Sequence, residues 1–196
     1  MTTDLVLARF NEDVNWTPRQ TGDLLVVIYN KGAGGRPILH NVGREAHTYL
    51  HHIVARYKTL ADWTFFSQAD PIPHCPDLAH IVETWPDSYR KSVFYVCPDQ
   101  NFFSNQPVRF LEPSPVGDDA LNDCAGLWSE LFVSPMPEGI VFAPGAIFAI
   151  TRAKLLSRSV AFYQRAMELA AMRPRGPWEF ERLWAYLWTS SAATKL

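Results

Sequence analysis

Cysteine is scarce in this chain, with Cys75, Cys97 and Cys124 the three among 196 residues. Their odd number, wide spacing and lack of a CxxC pair argue against a disulfide framework or a zinc knuckle and fit a reducing cytoplasm. Neither sign of charge prevails: 18 Lys and Arg against 20 Asp and Glu leave a net charge of −2, which excludes a surface selected for broad contact with nucleic acid. Long apolar runs are missing too, so no membrane span is expected, and residues 1–4 carry no basic segment ahead of an apolar one. The Gly-x-Ser-x-Gly elbow, the Walker loop and the Gly-x-Gly-x-x-Gly turn are all absent; the glycine-rich residues 32–35 lack the Lys-Ser/Thr that follows a phosphate loop.

What remains is a folded, aromatic-rich chain, 47% hydrophobic and 13% aromatic, of a length suited to one domain over residues 1–196. The expected partner is a small molecule. Branched runs at 5–9 and 24–29 read as two buried parallel strands, and 63–67 as a third. Residues 16–18 read as the start of a short helix, with Thr17 as cap and Pro18 at its first position, and a longer helix is expected from about Asn41 to Lys58. Further on, the pattern predicts a helix at 76–84, a strand at 92–96, an amphipathic helix at 118–132, strand over 139–151 broken at Pro144, and closing helices at 159–172 and 178–188. Strand and helix in alternation predict an α/β sheet with helices on both faces, whose ligands gather beyond the carboxyl ends of the strands. Those exits carry Asn11, Glu12 and Asp13, then Lys31, then Gln68 and Asp70.

The segment 41–53 concentrates the most chemistry, placing a cation, an acid and three imidazoles at one helix start. Asn41 is a good N-cap residue, Gly43 permits close approach to the backbone, and Arg44 adds positive charge where free amides already favour anions. His47 and His51 share a helix face, as two zinc ligands would, but without the His-Glu-x-x-His order of a metalloprotease. A hydrogen bond to ligand or carboxylate suits them better, and Glu45 with these imidazoles fits proton transfer. His52 reads as a satisfied, half-buried histidine.

Asp70 follows an apolar strand, where one carboxylate with His74 could hold Mn2+ or Mg2+, or simply open a turn before Pro71. Glu181 lies three residues from both Trp178 and Trp184, and a carboxylate beside such a surface can be desolvated enough to act as a base. Glu179, like Asp118 and Asp119, is explained as well by the preference of helix starts for acids.

Taken together, residues 8–13 (Ala-Arg-Phe-Asn-Glu-Asp), 28–32, 41–54, 65–68 with Asp70, Pro71 and His74, 145–152, Phe162 with Tyr163, and 180–184 resemble the family called domain of unknown function 3431, nearly end to end. The order of these pieces is also similar, more weakly, to sugar-nucleotide transferases of the GT-A type. That resemblance implies a three-layer α/β sandwich with a mostly parallel mixed sheet and transfer of a sugar from a nucleotide donor to a hydroxyl. It implies a donor site at Arg9, Asn11, Glu12, Lys31, Asn41, Arg44 and Gln68, with Glu181 as base and His47, His51 and Glu45 as further catalytic candidates. The Asp-x-Asp metal motif of such enzymes departs here, since residues 68–70 supply one acid. A lyase, cyclase or hydrolase working by His and Glu, or a ligand-binding module without catalysis, are the alternatives.

Overall fold

Branched and aromatic side chains set a five-stranded sheet: β1 (Thr3–Arg9), β2 (Leu24–Asn30), β3 (Trp63–Gln68), β4 (Phe94–Val96) and β5 (Phe148–Thr151), in the order β2-β1-β3-β5-β4. The computed structural model describes residues 1–32, 39–85, 94–96, 118–137, 146–189 and 194. β1 pairs in parallel with β2 and β3, whereas β5 runs antiparallel to both β3 and β4. The sheet is therefore mixed, parallel across three strands only, and β2 forms its edge. That corrects the expectation of two buried strands: Leu25 is exposed, and Val26, Val27 and Ile28 are half-buried, because an edge strand has one neighbour.

Among the described residues six helices are present: α1 (Arg44–Arg56), α2 (Leu78–Glu83), α3 (Asp118–Leu131), α4 (Arg152–Leu155), α5 (Val160–Met172) and α6 (Gly176–Thr189). The strand pleat sends alternate side chains to opposite faces. Val6, Phe66, Phe148 and Ile150 pack under α1, α3, α5 and α6, and Leu5, Leu7, Trp63, Phe65 and Ala149 pack against Cys75, Leu78, Val82 and Trp85. The first layer is dense with rings: Tyr49 lies 4.9 Å from Phe66, and Phe148 lies 5.4 Å from Trp184. Each such side chain contributes about 1.5–3 kcal/mol on burial.

Three local expectations are corrected. Residues 15–17 form a turn closed by Thr17 N–H to the Val14 carbonyl at 3.1 Å; Pro18 is not followed by helical hydrogen bonds. α1 starts at Arg44 instead of Asn41, because Gly43 occupies the cap position in a left-handed conformation with no side-chain cap. Cys75 is disulfide-bonded, whereas Cys124 is free and buried. Spacing could not foresee that bond, since disulfides depend on Cα separation in space. A persistent disulfide is the kind of bond that oxidising compartments retain.

The helix starts at 159 and 178 fare differently. Ser159 caps α5 by accepting from Phe162 N–H at 3.1 Å, while α6 begins two residues early, at Gly176. Arg173, at the end of α5, grips Glu179 through Nε at 2.6 Å and Nη2 at 3.1 Å, and Glu179 is buried. This bidentate pair clips the two helices together and accounts for Glu179 structurally. The strand expected over 139–145 and most of 86–117 lie outside the described residues, as do the side chains of Asp118 and Asp119.

His52 is more buried than anticipated, with no exposed surface. Its Nε2 stands 3.5 Å from the buried Asp4 carboxylate, and its Nδ1 lies 3.3 Å from the Tyr29 hydroxyl. Arg56 approaches the same carboxylate at 3.8 Å. Asp4 therefore has a cationic neighbour in a site where an isolated charge would be costly.

Candidate functional site

The strand register brings Arg9, Asn30 and Gln68 to one end of the sheet: Arg9 pairs with Asn30, and Ala8 with both Tyr29 and Gln68. β2 and β3 leave β1 on opposite sides, so this end is a topological switch point, the place where open α/β sheets form a crevice. A crevice of about 300 Å³ does occur there. Its walls are Ala8, Arg9, Phe10 and Glu12 at the exit of β1, Lys31 after β2, Asn41, Arg44 and Glu45 around the start of α1, and Gln68 at the end of β3.

Local interactions fix these walls. Gly32 passes so close to β1 that a Cβ there would overlap the Phe10 carbonyl and meet Asn11 Oδ1 at 2.5 Å. Glu12 spends its carboxylate on the backbone amides of Phe10 and Asn11, at 2.6 and 3.1 Å, while Arg9 Nε donates to the Glu12 carbonyl at 2.8 Å. The ammonium of Lys31 donates to the carbonyls of Val42 and Arg44 at 2.6 and 2.5 Å. Between those carbonyls the backbone is left-handed twice, with φ of 60° at Gly43 and 43° at Arg44. A non-glycine residue held there costs about 1–3 kcal/mol, and such strain gathers at functional sites. Ala146, entering β5 at the same end of the sheet, has φ of 51°, and its carbonyl accepts from the Tyr49 hydroxyl of α1 at 3.1 Å.

Electrostatics distinguish the candidates. Burial lowers the Lys31 ammonium to about 8, against the opposing pull of Glu45. Burial raises Glu45; its own helix amide and Arg44 pull it down, and Glu181 pushes it up. Glu45 and Glu181 are thus electrostatic neighbours brought together from α1 and α6, and a carboxylate raised in this way suits acid–base work. His47 is lowered to about 4 by burial, helped by Lys31, His51 and His40, and His51 is lowered by burial and His52. Their rings stack 6.4 Å apart, and His51 meets Tyr29 edge-on at 5.3 Å.

The structure therefore brings Arg9, Glu12, Lys31, Asn41, Arg44, Glu45 and Gln68 together, with Glu181 in electrostatic range. His47 and His51, further along α1 than Arg44 and Glu45, are not among the lining residues. Asn11 is exposed beside Gly32 and likewise does not line the crevice. Asp70 is exposed, its carbonyl taken by Gln68 Nε2 at 3.0 Å, and His74 closes a turn through its amide to the Pro71 carbonyl at 2.9 Å. Among the described residues no group of three His, Cys, Asp or Glu side chains is placed to hold a metal ion. Sequence reasoning missed Trp178 as a partner of the site: its indole is exposed at the start of α6 with the Arg44 guanidinium 5.3 Å above the ring centre. A tryptophan at a helix start, where burial is not demanded, was the available signal.

Residues 5–194 match the family described as "Protein of unknown function (DUF3431)". The chain belongs to that family. No curated protein and no solved structure matches it. Among the described residues, no helix is long and apolar enough to cross a membrane.

Proposed function

We propose that this member of the family is a glycosyltransferase-like enzyme that binds a nucleotide-linked sugar in the crevice and transfers the sugar to a hydroxyl. The observation that carries the reading is the placement of Arg9 and Arg44 at a switch-point crevice beside the open start of α1, a setting that favours a phosphate-bearing ligand. In the reaction the acceptor oxygen bonds to the anomeric carbon, the carbon–oxygen bond to the diphosphate breaks, and the acceptor proton passes to a carboxylate. Glu45, with Glu181 beside it, is the group whose environment suits that proton. Arg44 and Arg9 are the cationic walls of the crevice that would face the departing diphosphate.

The test is a melting-temperature panel of uridine, guanosine and thymidine diphosphates, with and without Mn2+ or Mg2+. A nucleotide at about a hundred times its Kd stabilises by about 2.7 kcal/mol, and Arg44→Ala should abolish the shift. A panel that leaves Tm unmoved removes the nucleotide donor.

The raised Glu45 carboxylate specifically favours a second reading, lyase or hydrolase chemistry on a small oxyanionic substrate without a nucleotide. In that case simple anions, not nucleoside diphosphates, stabilise the fold, and Glu45→Gln is inactive while still binding them.

A further inference from the structure

We propose that Trp178 is the positioning residue for Arg44, and that the pair forms an oxyanion clamp at the mouth of the crevice. The inference rests on the reading of the crevice as an anion site and names the group that grips the ligand's phosphate or carboxylate. Arg44 is constrained from several directions although its side chain is 62% exposed. Its carbonyl is tied to the Lys31 ammonium, its backbone is held at φ of 43°, its Nε lies 3.6 Å from Glu45, and its guanidinium lies on the Trp178 ring. Exposed arginines ordinarily range over many rotamers, so this convergence on one side chain demands a use.

The junction is built for the encounter. A Cβ on Gly43 would meet the Ala170 carbonyl at 2.7 Å, and one on Gly176 would meet the same oxygen at 3.0 Å. The absence of side chains at both positions lets the starts of α1 and α6 close on the end of α5. That approach delivers Arg44, the first residue of α1, onto Trp178, the third residue of α6. A guanidinium held over an indole face by its charge does not use its N–H donors on the ring, so they remain for other acceptors. Among the described residues that guanidinium makes no hydrogen bond, and its contacts are the ring and the Glu45 carboxylate at 3.6 Å. A planar fork held in this way matches a bidentate oxyanion.

Isothermal titration on the full chain tests the clamp, with pyrophosphate, uridine diphosphate and succinate as probes for the two oxyanion sources. Trp178→Ala should weaken the bound probe about tenfold, Trp178→Phe should keep it within about threefold, and Arg44→Lys should lose the fork despite keeping its charge. In a double-mutant cycle, Trp178→Ala should add nothing to Arg44→Ala, a coupling that a merely structural tryptophan would not show. Preference for pyrophosphate or for succinate assigns the oxyanion. Uridine diphosphate bound by the wild type and unaffected by Trp178→Ala, or losses that add in the double variant, overturn the clamp and leave the crevice reading standing. Failure of the wild type to bind any of the three overturns both. Should Trp178→Ala lower Tm, Trp178→Phe and Arg44→Lys decide, since the first keeps the ring and the second keeps the charge.

Discussion

The Lys31 ammonium stands 2.5 Å from the carbonyl oxygen of Arg44, so one cation of the crevice serves the backbone of another. The resemblance places Lys31 in the donor site, but two of its three donors go to the turn that aims Arg44. Lys31 acts on a ligand chiefly by holding Arg44 in place.

Replacing Lys31 with Met should leave the Val42 and Arg44 carbonyls without their charged donor and cost about 1–3 kcal/mol, read by urea denaturation. Anion affinity should fall with it. The pH dependence has two opposite signs. The folded-state value of about 8 lies below the ordinary 10.5, so the unfolded chain holds the proton more tightly and this group adds stability as pH rises from about 8 to 10.5. Over that range the charged latch is lost, so pyrophosphate binding should weaken while Tm is supported. Lys31→Arg, which stays charged, should flatten the binding profile.

The histidines of α1 predict an acid sensitivity. Burial lowers His47 to about 4 from 6.5, so between those values the unfolded chain binds the extra proton and the fold loses stability as pH falls. His51 shifts in the same direction. A melting series from pH 7 to pH 4 should show a shallower decline for His47→Gln than for the wild type. A slope that does not change would mean that His47 is protonated in the fold.

Glu179 should be a stability residue without a role at the crevice. Glu179→Ala removes the buried acceptor of a bidentate, charge-assisted pair, at a cost of about 1.5–3 kcal/mol in denaturant unfolding. Anion affinity of the folded fraction should be unchanged.

The disulfide at Cys75 makes a chemical prediction. Alkylation with mass mapping should leave Cys75 unmodified until reductant is added, whereas Cys124 should react on unfolding alone. Alkylation of Cys75 in denaturant without reductant would contradict the bond.

Much of this architecture is written locally. Strand runs of branched and aromatic residues stand within two residues of where the chain places β1, β2 and β3, because those side chains fit a pleated, half-buried surface. The exits of the same strands could be named as crevice walls, since a parallel register carries Arg9 and Gln68 to one end. What lay beyond reading was set by distant neighbours. Gly43 displaced Asn41 as the cap because the end of α5 crowds that turn, a contact more than a hundred residues away. Glu179 and Glu181, two positions apart on α6, meet Arg173 and Glu45 respectively, and nothing in their spacing separates the buried clip from the candidate base. Arg44 and Glu45 supply the part of α1 that lines the crevice, and no spacing within the helix tells how far along it the crevice reaches, so His47 and His51 could not be separated from them.

The close passage of Gly32 against Phe10 and Asn11 bears on how the crevice comes into being. The two segments are about twenty residues apart and touch only when β1 and β2 are already in register. Arg44 and Trp178 are farther apart still in the chain, and contacts of long sequence separation form late and slowly. Ligand recognition should accordingly be the last property to return on refolding, trailing the far-ultraviolet signal of the helices. A crevice ligand would then slow unfolding without hastening assembly.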